Sequence, residues 1–218
     1  MSPASPTDTA IRPREEQLRG AAVRLFRRHG YHATSMQDLA EALGLHRGSL
    51  YHYIDAKEDL LAAIVEGVMA RFTGEVLPIL EGDGDPVERL RLAVAAHLRI
   101  AAEWPDELTL AQVELKALSD ERAARVVAAR DRYEHAWRDL IRSGVAAGRF
   151  RCADVRSAGF VILAACNWFS QWYHPEGPLG VDAFAESFAV LFLSALGAGE
   201  GTAATDGAPA TGPARVPA

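Results

Sequence analysis

Two cysteines in 218 residues, Cys152 and Cys166, make no disulfide framework, and their spacing suits no common zinc site. His46 and His52 stand no better, and no glycine-rich phosphate loop or nucleophile elbow occurs, so catalysis, a metal and a cofactor are all unexpected. Alternating apolar and polar residues are missing throughout, which excludes half-buried strands. Long apolar runs are missing as well: the most apolar stretch, 158–169, falls short of the roughly 20 residues that span a bilayer. The first 13 residues are polar, with no basic-then-apolar leader. The expectation is a soluble, cytoplasmic chain with no membrane attachment.

What the sequence does hold is helical periodicity. With 49% hydrophobic residues the chain can fill a real core. Net charge is −6, which rules out a general polyanion binder, but residues 12–58 carry eight Lys/Arg against six Asp/Glu, leaving −8 on the rest. Any nucleic-acid face therefore belongs near the N-terminus. Nine helices are expected, over 14–29, 35–43, 47–54, 56–73, 86–103, 106–118, 120–147, 154–173 and 181–196, an all-α architecture. Residues 1–13 and 197–218 lack periodicity and read as a disordered arm and tail. Thr34 and Gln37 have capping-box spacing for the second helix, Asp55 and Glu58 for the fourth, and Asp85 and Glu88 for the fifth.

The informative feature is a short helix, a tight turn at Gly44-Leu45-His46, and a second short helix. Helices this short do not persist alone, because nucleation costs more than a few hydrogen bonds return. Bracing by the first helix through Leu18, Ala21, Ala22, Leu25 and Phe26, with Met36, Leu39, Leu43, Leu45, Leu50 and Ile54 completing a small core, makes a stable corner. The outer face of the third helix then carries Arg47, Gly48, Ser49, Tyr51, His52 and Tyr53. Arginine reads a guanine edge bidentately, glycine permits close backbone approach, and hydroxyls with Lys57 suit phosphates. A corner that serves packing alone would leave this aromatic and polar face unexplained. Arg12 and Arg14 on the arm are candidates for the minor groove.

The strings Thr34-Ser35-Met36-Gln37-Asp38-Leu39-Ala40-Glu41-Ala42-Leu43-Gly44-Leu45, Arg47-Gly48-Ser49-Leu50-Tyr51-His52-Tyr53-Ile54 and Lys57-Glu58-Asp59-Leu60-Leu61 resemble the head of the TetR family of bacterial regulators. The resemblance implies a helix-turn-helix DNA-binding domain at 14–56 and a ligand-binding and dimerisation domain at 57–196. It implies that Thr34, Tyr51, Tyr53 and Lys57 touch phosphates, that Gln37, Arg47, Gly48 and His52 approach bases, and that Ser49 does either. His46 stands where a serine cap is common.

The helices around 158–166 and 184–196 are apolar nearly all round and need covering. A second copy would cover them in a four-helix bundle, with Phe160, Ala164, Phe184, Phe188, Leu191, Phe192 and Ala195 at the seam. The fourth helix then acts as a lever between head and body. A small-molecule site is expected from polar and aromatic residues on apolar faces: His97, Trp104, Glu114, Asn167, Trp168, Gln171 and Trp172. Internal pairing is the other account of the same residues. Segments 114–122, 130–134 and 172–179 resemble a branch of the family that controls lipid and steroid catabolism and answers to acyl-CoA thioesters, with Arg149, Arg151 and Arg156 available for CoA phosphates. The expected function is a homodimeric repressor released from operator DNA by a lipophilic effector. An activator, a response to another hydrophobic ligand, ligand-independent DNA binding and a pure protein-interaction module are the rivals.

Overall fold

Helix α1, Pro6–His29, buries Leu18, Ala22 and Phe26 and stops at Gly30, whose φ of +84° suits a residue without a Cβ. The computed structural model describes residues 6–198, without the side chains of 6–14. Because α1 opens at Pro6 rather than at residue 14, Arg12 and Arg14 stand on a helix and not on an extended arm; their side chains fall outside the described set. The segment 199–218, expected to be a disordered tail, also lies outside the described residues.

Helix α2, Met36–Ala42, is capped by Ser35, one residue later than expected. The Ser35 hydroxyl accepts from the Asp38 amide at 3.2 Å, and the Asp38 carboxylate accepts from the Ser35 amide at 2.7 Å. Those bonds to the ionised carboxylate hold its pKa below the usual range. Thr34 does not cap because it is buried, its hydroxyl donating to the Gly30 carbonyl at 2.9 Å. The helix leaves through Gly44, at φ +64°, with bonds from Gly44 to Glu41 and from Leu45 to Ala40 closing its end. Helix α3, Arg47–Leu50, is shorter than the expected 47–54. The chain tightens after Leu50, where Tyr53 donates back to the Leu50 carbonyl at 2.9 Å. Leu39 and Leu50 are fully buried in the same core as Leu18, Ala22 and Phe26 of α1, with Met36, Leu43, Leu45 and Ile54 packed on it, as the braced corner requires.

Helix α4, Lys57–Arg71, starts after Ala56, whose amide donates to Asp59 at 2.8 Å. The expected pair Asp55 and Glu58 is displaced by one residue, since Glu58 reaches instead to the Ser119 amide at 2.8 Å. α4 does not stop at residue 73. It passes into a π-helical turn, Phe72–Val76, and on into α5, Leu77–Glu81. The rest is α6, Pro86–Glu103; α7, Pro105–Val113; α8, Asp120–Ala146; α9, Val155–Trp168; and α10, Val181–Ala195. Counting α4, the π turn and α5 as one rod, the described residues form nine α-helical rods, with short 3-10 turns at Leu115–Ala117 and Phe169–Gln171, and no strand. At α6 the N-cap Asp85 makes no side-chain cap bond and instead pairs with Arg149.

α10 lies along α6, α9 lies on α8, and α7 wedges between α1 and α4. Trp137, Phe169, Leu90, Leu98, Ile100 and Leu140 are fully buried at the centre of the body. Among the described residues no helix is long and apolar enough to cross a membrane, and no group of His, Cys, Asp or Glu gathers as a metal site.

Candidate nucleic-acid interface and ligand cavity

The outer surface of α3 and the turn after it is one continuous exposed face. Arg47, Gly48 and His52 are exposed, Tyr51 and Tyr53 expose 44% and 37% of their surface, and Ser49 is half-buried. Arg47 donates to the Tyr51 hydroxyl at 3.4 Å, and a Cβ built on Gly48 would meet nothing within 4 Å. Gln37 on α2 is exposed and donates to Glu41 at 2.8 Å. Arg47, Tyr51 and His52 are thus offered outward above the buried Leu50, and Tyr53, also exposed, borders a recess with Leu18, Arg19, Asp59 and Leu60. His46 precedes α3 without a side-chain cap bond.

Two expected phosphate contacts are placed otherwise. The Thr34 side chain is 2% exposed and committed to the Gly30 carbonyl, so it faces inward. Lys57 is half-buried and donates to the carbonyls of Thr34, Tyr31 and His32. It serves the turn between α1 and α2 rather than reaching outward. The structure corrects both assignments, for one reason: each polar group bonds to backbone carbonyls of the turn between α1 and α2.

A cavity of about 510 Å³ opens in the body. Val68, Met69 and Phe72 form its wall from the lever helix, Leu108, Ala111 and Gln112 from α7, and Arg130, Tyr133 and Glu134 from α8. Phe160, Leu163, Ala164, Asn167 and Trp168 close it from α9. That size suits a small-molecule site. Behind Tyr133 lies His97, 1% exposed, its Nδ1 2.9 Å from the Tyr133 hydroxyl and its ring 4.5 Å from that of Phe72. Burial pushes the imidazole pKa down to about 3, against the opposing pull of Asn167. His97 is therefore neutral. Burial also raises the Tyr133 phenol and lifts the Cys166 thiol well above its ordinary value, which leaves that thiol unreactive.

Of the seven expected ligand residues, Asn167 and Trp168 line this cavity and His97 backs it. The other four do not. Trp104 lies under the guanidiniums of Arg19 and Arg71, at 4.6 and 5.0 Å from its ring. Glu114 faces the Tyr31 amide, 3.5 Å away. Gln171 donates to Thr109 at 2.7 Å, and Trp172 packs edge-on against Phe169 and Phe184. Internal pairing accounts for these four. Gln112, Arg130 and Tyr133 also line the cavity; Arg130 and Tyr133 belong to the segment 130–134 whose resemblance pointed to the lipid branch, but none of the three was expected as a ligand residue, and a helical spacing that puts 130, 133 and 134 on one face is the signal that could have named two of them. Arg149 is paired with Asp85 at 2.9 Å and, with Arg151, lines a separate cleft of about 340 Å³; Arg156 lies 5.7 Å from the Phe160 ring.

α9 and α10 present Phe160, Val161, Ala164 and Trp168, and Val190, Leu191 and Ala195, to solvent; Val161, Trp168 and Leu191 are each more than 60% exposed. Phe184 and Phe188 are half-buried in an aromatic cluster around Phe169. Phe192 is 9% exposed and turned into its own subunit, which corrects its placement at the seam.

Residues 18–64 match the model of the bacterial regulatory proteins of the tetR family, and residues 83–196 match the tetracyclin repressor-like C-terminal domain. The chain is 28% identical over 203 residues to the HTH-type transcriptional repressor KstR2 of Mycolicibacterium smegmatis, covering 92% of this chain and 98% of that one. Among solved structures it is similar to the TetR family regulator PfmR of Thermus thermophilus, with a TM-score of 0.74, 36% identity, and 82% and 97% of the two chains covered. It is also similar to AibR in complex with isovaleryl coenzyme A and operator DNA, with a TM-score of 0.72, 28% identity and the same coverage. With an outward recognition face at its head, a walled cavity in its body and both halves matched, this chain belongs to the TetR family of bacterial transcriptional regulators.

Proposed function

We propose that the chain is a cytoplasmic, non-enzymatic repressor that binds operator DNA as a homodimer and leaves it when a lipophilic effector, such as an acyl-CoA thioester, occupies the cavity. One observation carries the reading. Val68, Met69 and Phe72 of a single helical rod wall the cavity, and Lys57 at the other end of that rod holds the turn into the recognition helices. A ligand that displaces the wall moves the head.

Two heads must reach successive major grooves, so the dimer sets the register. The apolar solvent face of α9 and α10 supports pairing through those helices. At about 510 Å³ the cavity suits the acyl or ring portion of an effector, with a CoA head group outside its mouth. KstR2 is named a repressor, and AibR was crystallised with both isovaleryl coenzyme A and operator DNA, which support a repressor with an acyl-CoA ligand and a DNA operator.

The test is reciprocal titration. An effector that lowers operator affinity about 100-fold prefers the DNA-incompetent state by about 2.7 kcal/mol, and operator DNA must weaken effector binding by the same factor. Calorimetry of a straight-chain acyl-CoA series, with and without operator, should show equal factors. Tight effector binding with no change in operator affinity would contradict release by the cavity.

A further inference from the structure

We propose that the cavity takes an apolar molecule bearing one carboxylate, and that Arg130 is the residue that receives it. The inference rests on reading the cavity as the effector site. Several arginines of the body are matched to carboxylates: Arg122 to Asp59, Arg132 to Glu81, Arg138 to Glu134 and Arg149 to Asp85. Arg89 instead donates to the Ile79 and Leu80 carbonyls, away from this cavity. Arg130 is placed differently. It stands half-buried at the cavity wall, and among the described residues no carboxylate comes within ion-pair distance of it. Its guanidinium donates to the Ala111 carbonyl near the end of α7, which uses one of five donors. Burial draws its pKa down and no carboxylate opposes the shift.

A half-buried cation without a counter-charge is costly unless something supplies one. Glu134, one turn along the same wall, does not, because Arg138 engages it. Gln112 and Asn167 add neutral hydrogen-bonding groups, and the remaining walls are hydrocarbon and aromatic. Such a site suits an apolar body with a single planar anion, which the arginine fork grips through two parallel bonds. Two sources carry that chemistry: a free carboxylic acid, or a thioester whose acyl chain ends in a second carboxylate.

The test uses the full chain and the neutral dye Nile red, displaced by dodecanoate against methyl dodecanoate, and by deoxycholate against its methyl ester. Each acid should displace the dye at about ten- to hundred-fold lower concentration than its ester. Arg130→Gln should bring that ratio near one, each ratio being measured against the variant's own affinity for the dye, and Arg130→Lys should keep part of it. A ratio near one in the unsubstituted protein overturns the proposal whether or not the variants fold, as does an undiminished ratio in Arg130→Gln. Failure of Nile red to bind at all removes the cavity reading itself.

Operator release then separates the sources: dodecanoate is compared with the mono-CoA thioester of dodecanedioic acid, with dodecanoyl-CoA as reference. Greater potency than dodecanoyl-CoA for either carboxylate identifies the source. Dodecanoyl-CoA as potent as both would leave the effector reading standing and sink the role of Arg130.

Discussion

Lys57 and Thr34 join the lever to the head: Lys57 Nζ donates to the Thr34 carbonyl at 2.6 Å, and to the Tyr31 carbonyl at 2.7 Å and the His32 carbonyl at 3.4 Å. The ammonium also lies 4.3 Å from the centre of the Tyr31 ring. Burial lowers its pKa, yet three carbonyl partners match its three protons. The first turn of α4 cannot shift without carrying the α1–α2 turn along.

Lys57→Met should therefore cost about 1–3 kcal/mol of stability, read as a fall in Tm of several degrees. The slope of operator affinity against salt should hold, because no phosphate contact is lost. An unchanged Tm with a slope reduced by about one phosphate would return Lys57 to the DNA.

Arg47→Ala should act on sequence preference. Removing a bidentate base contact costs about 1–3 kcal/mol at the cognate base pair and relaxes discrimination there, with little effect on random duplex. Equal losses on operator and random DNA would assign Arg47 to the phosphate backbone.

His97 makes stability sensitive to acid. Its ordinary pKa of 6.5 is pushed down to about 3 in the folded state. Below pH 6.5 the unfolded imidazole binds a proton and the folded one does not, so stability is full above that pH and drains as pH falls. The slope approaches about 1.4 kcal/mol per unit, or about 2 kcal/mol between pH 7 and 5. Urea unfolding of His97→Gln over that interval should lose correspondingly less than the parent protein. Parallel losses would mean that His97 is not the group responsible.

Leu191→Glu places a charge on the apolar face of α10 without touching the subunit's own core, since Leu191 is 63% exposed. Sedimentation should show a folded monomer, and operator affinity should fall by orders of magnitude as the paired heads are lost. A dimer that persists unchanged would move the seam elsewhere.

Much of this was legible in sequence. The apolar faces of α1 and α2 and the glycine turn at Gly44 pointed to the braced corner, because periodicity and a required positive φ are local signals. Boundaries set by tertiary partners were not legible. Ser35 caps α2 because Thr34 is drawn inward by Gly30, and Asp59 takes the cap of α4 because Glu58 is drawn across to Ser119. The π-helical turn at Phe72 interrupts no sequence pattern. Trp104 and Gln171 looked like ligand groups because a sequence cannot show that Arg19, Arg71 and Thr109 already meet them.

Selection from a random duplex library with the purified chain tests the central claim most directly, that the face from Arg47 to Tyr53 docks in the major groove. The account predicts enrichment of a palindrome whose half-sites lie a whole number of helical turns apart, and loss of one position of preference in each half-site with Arg47→Ala. Recovery of no sequence above the starting pool, at a salt concentration where random duplex is bound weakly, would contradict it.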